Sequence, residues 1–281
     1  CWGTDTRDID NITYDERLLT QAGLDPAKFA PIVPSNSVVG NLLPAVAAEL
    51  GLDEIPVLAS SPDVTSAAVG SGAVAEKAAH LYIGTSSWLS CHVPFRKTDA
   101  IHQIAALPSS LPGRYLVATE QQVAGAALDH LKDVLLGQPE LSFDLLNEEA
   151  AAAGIGANGV QFTPWLNGER TPLDDARVRG AISNLSLTST RGSLARATLE
   201  GVAMNSRWMQ HYTEKFVRGK FEEIAFIGVE RRRTSGVRSS PTRWAGGSTR
   251  STVRGRPTCA ALRCWLCSAS GGSRSTTFQA A

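Results

Sequence analysis

PVLASSPDVTSAAVGSGAV (Pro56–Val74), followed closely by HLYIGTSSWLSCHV (His80–Val93), is the stretch on which the fold and the chemistry of this chain turn. Val57, Leu58 and Ala59 read as a buried strand that runs into a turn presenting one carboxylate, Asp63. A helix of small residues follows and ends at Gly70-Ser71-Gly72. A second strand then runs into the hydroxyl-rich turn Gly84-Thr85-Ser86-Ser87. A lone acid at a strand end, with a glycine and hydroxyl turn shortly after it, suggests a base facing a phosphate-binding loop. An Asp at a strand-to-helix turn also serves as a plain N-cap, and a GTSS sequence also makes a plain tight turn.

Working outward, the upstream segment predicts a short helix over Asp15–Ala22 stopped by Gly23. Pro31 and Pro34 then mark a linker. Pro44 opens a helix (Ala45–Leu50) closed at Gly51, since proline suits the first helical position and glycine the residue after the last. Downstream, Arg114–Thr119 reads as extended. A helix starting at Glu120 would place Val123, Ala127, Leu131 and Val134 or Leu135 on one face. Gly125 in its first turn is a poor helix former, which argues for a packing or ligand reason.

A second helix covers Phe143–Ala153, and VQFTPWL (Val160–Leu166) is a strand leading to the polar loop NGERTPLDD (Asn167–Asp175). The longest helical pattern runs over Thr188–Phe216, with Ser189 or Thr190 as its cap and Leu199, Val202, Met209, Tyr212 and Phe216 along one stripe. EEIAFIG (Glu222–Gly228) is a buried strand. Strands and helices alternate, so the fold class is α/β with a mixed or parallel sheet. Ligands of such sheets bind beyond the strands' carboxyl ends. Asp63, the Gly84–Ser87 turn and Gly228 stand just past predicted strand ends and could share a cleft.

Composition narrows the class. The apolar fraction of 43% is that of an ordinary globular protein, and no run approaches the ~20 apolar residues of a membrane span. Five cysteines without framework spacing argue for a reducing compartment. His80, His92, His102, His130 and His211 are scattered without ligand spacing. Cys264 and Cys267 have redox-motif spacing but no thioredoxin-like surroundings.

The formal net charge of zero conceals a split. Residues 1–228 hold 17 Lys and Arg against 26 Asp and Glu, whereas residues 229–281 hold ten Arg and one acid, Glu230. The latter stretch is Arg, Ser, Thr and Gly without periodicity. It reads as disorder, as a basic nucleic-acid tail, or as GC-rich DNA translated out of frame. The third reading fits best: shifted frames of Ser239–Gly246 and Thr258–Cys267, back-translated in GC-rich codons, give amphipathic helical segments. The chain opens on Cys1 with no leader behind it and reads as entered mid-protein.

Five segments in order carry a resemblance. They are SPDVTSAAVGSGAV, HLYIGTSSWLSCHVPF, LPGRYLVATEQQVAGAALDHLKD, FTPWLNGERTPLDDARVRGAISNLSL and TRGSLARATLEGVAMNSR. Over about Trp2–Gly228 the chain resembles the FGGY family of carbohydrate kinases, and its xylulokinase-like branch most. The resemblance implies an actin/hexokinase-like (ribonuclease H-like) two-domain α/β fold. It divides the chain into the end of the N-terminal domain (1–74), most of the nucleotide-binding C-terminal domain (75–228) and the basic tail (229–281). It also implies cytoplasmic phosphorylation of a ketose such as xylulose by ATP with Mg2+, without nucleic-acid or membrane partners, and admits a homodimer. Asp63 falls on the catalytic base, Gly84, Thr85 and Ser86 on the phosphate-contacting turn, and Gly125 on the glycine that lets the nucleotide approach a helix. No residue is implied as a resident metal ligand. The chain departs from the family signature at Asn184, where a glycine is usual, and at Ser193. The family's first phosphate turn and most of its sugar contacts are expected to lie outside this sequence. The chain as written is then either a sugar kinase, a nucleotide-binding module without turnover, or an inactive product.

Overall fold

The computed structural model describes residues 3–229 and 248–254. The chain begins with a short ribbon, β1 (Thr4–Asp5) paired with β2 (Thr13–Tyr14), and helix α1 (Glu16–Gln21). Asp15 caps α1 by accepting from the Leu18 N–H, and Gly23 at φ +65° ends it as expected. A two-stranded antiparallel unit follows, β3 (Val38–Asn41) with β4 (Pro56–Leu58), joined through helix α2 (Pro44–Leu50). Pro44 opens α2 and Gly51, left-handed at φ +66°, closes it. Then comes helix α3 (Asp63–Gly70).

The expectation of a buried strand at Val57–Ala59 fails. Every residue of β3 and β4 is exposed, Leu58 by 53% and Val38 by 60%. Two strands alone have no third neighbour, and among the described residues no apolar layer covers either face. The apolar run Val57-Leu58-Ala59 is present; its cover is not.

The centre of the fold is a seven-stranded mixed sheet in the order β13-β12-β5-β6-β9-β8-β7. Its strands are β5 (Ala79–Ile83), β6 (Ser87–Val93), β7 (Thr98–Asp99), β8 (Ile104–Pro108), β9 (Tyr115–Gln121), β12 (Glu223–Val229) and β13 (Ser248–Arg254). Strands β12 and β5 run parallel, and the other neighbours run antiparallel. Between β9 and β12 lie helix α4 (Ala126–His130) with a wide turn over Leu131–Leu135, helix α5 (Phe143–Ala153), the ribbon β10 (Gln161–Thr163) with β11 (Ala181–Ser183), and the long helix α6 (Arg191–Val217). The reading of residues 229–281 as a tail falls, apart from Val229 and the backbone of β13, outside the described residues.

Alternation sorts the central strands into two faces. Leu81, Leu89, Val117 and Phe226 point into the main core, where Val202, Met209 and Phe216 of α6 meet them. Each such side chain contributes about 1.5–3 kcal/mol by leaving water. His80, Ser90 and His92 occupy the other face and are buried too. The α6 stripe is the one expected, and its cap is Thr190. Thr190 and Ser193 exchange side-chain bonds to each other's backbone N–H in a capping box, which gives the unusual Ser193 a structural task.

Two other expectations shift. Glu120 and Gln121 do not start a helix, because they pair with Trp88 and Ser87 and prolong β9. The helix starts only after Gly125. Val123, Ala127 and Leu131 are buried as expected, whereas Val134 and Leu135 are exposed by 63% and 49%. The wide i→i+5 turn over Leu131–Leu135 inserts an extra residue and rotates these two away from the core.

Candidate functional site

The site is built where the carboxyl ends of β5 and β12 meet the start of α4. The Gly84–Ser86 turn joins β5 to β6 and is closed by the Gly84 N–H donating to Ser86 O at 2.8 Å. Its outward carbonyls cap the next helix. Gly84 O accepts from the Gly125 N–H at 2.8 Å, and Thr85 O accepts from the N–H groups of Ala124 and Ala126 at 2.8 and 3.3 Å. These N–H groups would otherwise be orphans of a helix start. A Cβ on Gly125 would lie 2.5 Å from Gly84 O, a backbone atom that cannot step aside. What Gly125 accommodates is therefore the turn itself.

The turn keeps one residue free. Thr85 is exposed, and neither its amide nor its hydroxyl has a hydrogen-bond partner among the described residues. The Ser86 hydroxyl accepts from Trp88 Nε1 at 3.1 Å. Ser87 is already the first residue of β6, fully buried, with its hydroxyl unpartnered. The Tyr82 side chain lies against Gly84 closely enough that a Cβ there would meet its hydroxyl at 2.7 Å. An exposed threonine offering an amide and a hydroxyl at the end of a strand suits an anionic oxygen.

Asp63 is the first residue of α3, behind Pro62, and is exposed. One carboxylate oxygen accepts from the Val64 N–H at 2.8 Å, and the other is open. The hydrogen bonds join Gly84, Thr85 and Gly125 into one unit. Asp63 stands apart from that unit, on the exposed α3, and no hydrogen bond links it to the turn. Gly228 does not lie past its strand. It sits inside β12, paired with Ile83, and so borders the residue that leads into the turn.

Reading the residues one by one missed a polar network behind the turn. Glu169 is 3% exposed, and its carboxylate accepts from the N–H groups of Gln122 and Arg170 at 2.8 and 2.9 Å and from the Asn205 side-chain amide. Burial pushes its acidity down, raising the pKa above the usual glutamate range against the pull of those three donors. Beside it, Gln121 donates to Val123 O at 3.0 Å and accepts from the Ser206 hydroxyl at 2.8 Å. Arg170 pairs with Glu120 on the outer side. The polar run NGER was visible in sequence, but only the fold shows its acid turned inward.

Among the described residues no group of three His, Cys, Asp or Glu could hold a metal ion, and no helix is long and apolar enough to cross a membrane. His102 pairs with Asp99, and Cys91 is a buried free thiol that burial pushes up to about 12. The departure at Asn184 has a clear basis. Its φ is +59°, a left-handed backbone that glycine and asparagine tolerate best, and its amide donates to Gly159 O at 2.9 Å.

Residues 79–228 match the C-terminal domain of the FGGY family of carbohydrate kinases, and residues 3–70 match its N-terminal domain. A xylulose kinase of Staphylococcus epidermidis is 36% identical over 175 residues, which cover 62% of this chain and 35% of that protein. A xylulose kinase of Bacillus subtilis is 30% identical over 193 residues, covering 68% of this chain and 38% of its own. The crystal structure of a xyloylose kinase from Brucella ovis aligns with a TM-score of 0.67 at 25% identity, over 76% of this chain and 44% of that one. The chain thus spans less than half the length of these relatives. On the two matched domains and the shared actin/hexokinase-like α/β fold, the chain belongs to the FGGY family of carbohydrate kinases.

Proposed function

We propose that the chain serves ATP-dependent phosphorylation of a sugar hydroxyl, with a ketose such as xylulose as the acceptor. The observation that carries this reading is the free, exposed Thr85 on a turn locked to Gly125 at the carboxyl end of β5. Family membership and xylulose kinases among the relatives support it. ATP supplies the γ-phosphoryl group and leaves as ADP. The residues of this chain do the rest by placement and electrostatics, as phosphoryl transfer requires.

In this reading the Thr85 amide and hydroxyl, with Ser86 beside them, donate to phosphate oxygens. Their geometry is set in advance, because Gly84 O and Thr85 O are already committed to the start of α4. Gly125 lets the turn, and with it the nucleotide, lie close against that helix. Asp63 uses its open carboxylate oxygen to take the proton of the attacking sugar hydroxyl as the new P–O bond forms and the bond to the leaving phosphate breaks. Mg2+ would be held mainly by phosphate oxygens, water and a carboxylate. We assign the chain to the cytoplasm, the compartment that supplies ATP.

The test is sugar-dependent ADP release, measured with xylulose, gluconate and glycerol. Release above background with xylulose, lost in Asp63→Asn while Mg-ATP still binds, is expected. Near-normal turnover by Asp63→Asn would remove Asp63 from its role. A second reading, a nucleotide-binding module without turnover, is favoured by the exposure of β3, β4 and Asp63. It predicts Mg-ATP binding with no ADP release for any sugar.

A further inference from the structure

The loop NGERTPLDD is held in place more tightly than an exposed connection requires. Glu169 and Asp175 exchange two backbone hydrogen bonds at 3.0 Å, and Asp174 donates to Arg170 O at 2.7 Å. Thr171 fastens the loop to β9 by donating its N–H to Glu120 O at 2.9 Å, and to the residue before β8 by donating its hydroxyl to Gln103 O at 3.0 Å. The backbone of Glu169 is therefore fixed before its side chain does anything.

That side chain reaches inward to the Gln122 N–H, one residue beyond the end of β9. The choice of an acid has a local reason. Asn205 gives its carbonyl oxygen to Trp165 Nε1 at 3.2 Å, so its amide donor is what faces Glu169. Three donors converge on one buried group, and a carboxylate is the side chain that only accepts. From Gln122 the path to the turn is short. Val123 is held by Gln121, and the next two amides, Ala124 and Gly125, are the ones that hold Thr85 O and Gly84 O.

We infer that Glu169 is a positioning residue for the Gly84–Ser86 turn, setting through Gln122 the height of the 122–125 segment on which the turn rests. The inference takes the turn as the phosphate-binding element, and so rests in part on the function proposed above. Loss of the carboxylate frees the Gln122 amide and lets the segment and the turn breathe together.

Two readouts on the full chain separate the positioning role from the nucleotide role. Amide hydrogen exchange follows Gly84, Ala124 and Gly125 directly, and calorimetry follows Mg-ATP affinity. Glu169→Ala is expected to speed exchange at these three amides at least tenfold and to weaken Mg-ATP at least tenfold. Arg170→Ala, which breaks the outer pair with Glu120 but keeps the backbone donor, is expected to change neither. Should Glu169→Ala fail to fold, Glu169→Asp carries the same test, since it keeps the charge but is one methylene short of Gln122. Faster exchange confined to 167–175 and the Asn205 region, with the three turn amides as protected as before, overturns the proposal. Faster exchange at the turn with unchanged Mg-ATP affinity supports the positioning role and overturns the nucleotide reading instead.

Discussion

Gly125 donates its N–H to the carbonyl oxygen of Gly84 at 2.8 Å, and the same oxygen fills the space where a side chain at Gly125 would begin. One contact thus joins the loop between β5 and β6 to the start of α4. It works only because Gly125 carries no Cβ on the facing side. Gly125→Ala forces a 2.5 Å contact with backbone, so the turn or the helix must move. Overpacking of this kind costs about 1–3 kcal/mol. Thermal unfolding should fall by several degrees, and Mg-ATP affinity should fall with it. Gly70→Ala is the control. Nothing lies within 4 Å of a Cβ there, so a change of about 0.4–1 kcal/mol in the stabilising direction is expected.

Asn184 stands where the family signature has glycine, and its left-handed φ of +59° says why either residue serves. Asn184→Gly should leave stability nearly unchanged, losing the bond to Gly159 O but relieving the backbone. Asn184→Ala keeps the strain and loses the bond, at a cost of about 1–2 kcal/mol. Denaturant melts of the two variants, compared side by side, check this order.

His80 lies on the sheet face away from the main core, 2% exposed, with Nε2 unpartnered. Burial pulls its pKa from 6.5 down to about 4, so the folded chain keeps it neutral where the unfolded chain protonates it. The sign follows from linkage. This contribution is fully present above pH 6.5 and is lost as pH falls from 6.5 towards about 4. Its size is on the order of 3 kcal/mol. His80→Gln should flatten the stability profile across that window relative to the parent, which denaturant melts at a series of pH values would show.

Local chemistry explains which elements could be read from the sequence. The ends of α1, α2, α5 and α6 carry their own signals: Asp15, Pro44 with Gly51, Ser142 with Gly154, and Thr190. The extension of β9 to Gln121 could not be read this way, because it depends on pairing with Ser87 and Trp88, more than thirty residues upstream. Burial of Val57 and Leu58 could not be read because apolar residues report a strand's fitness for a core and not the presence of one. Around the site, the family resemblance indicated Gly84, Thr85, Ser86 and Gly125. It could not show that Gly125 faces Gly84 O, nor that Glu169 points inward, since both are facts of distance across the fold.

The measurement that bears most directly on the central claim is calorimetric titration of the chain with Mg-ATP, alongside Thr85→Ala, Thr85→Glu and Asp63→Asn. The account predicts that the parent binds and that Thr85→Ala binds roughly tenfold or more weakly, as befits a lost bond to a charged group. It predicts that Thr85→Glu, which sets a like charge against the phosphates, scarcely binds, and that Asp63→Asn binds like the parent. A parent chain that does not bind Mg-ATP, or binding indifferent to a glutamate at position 85, would contradict it.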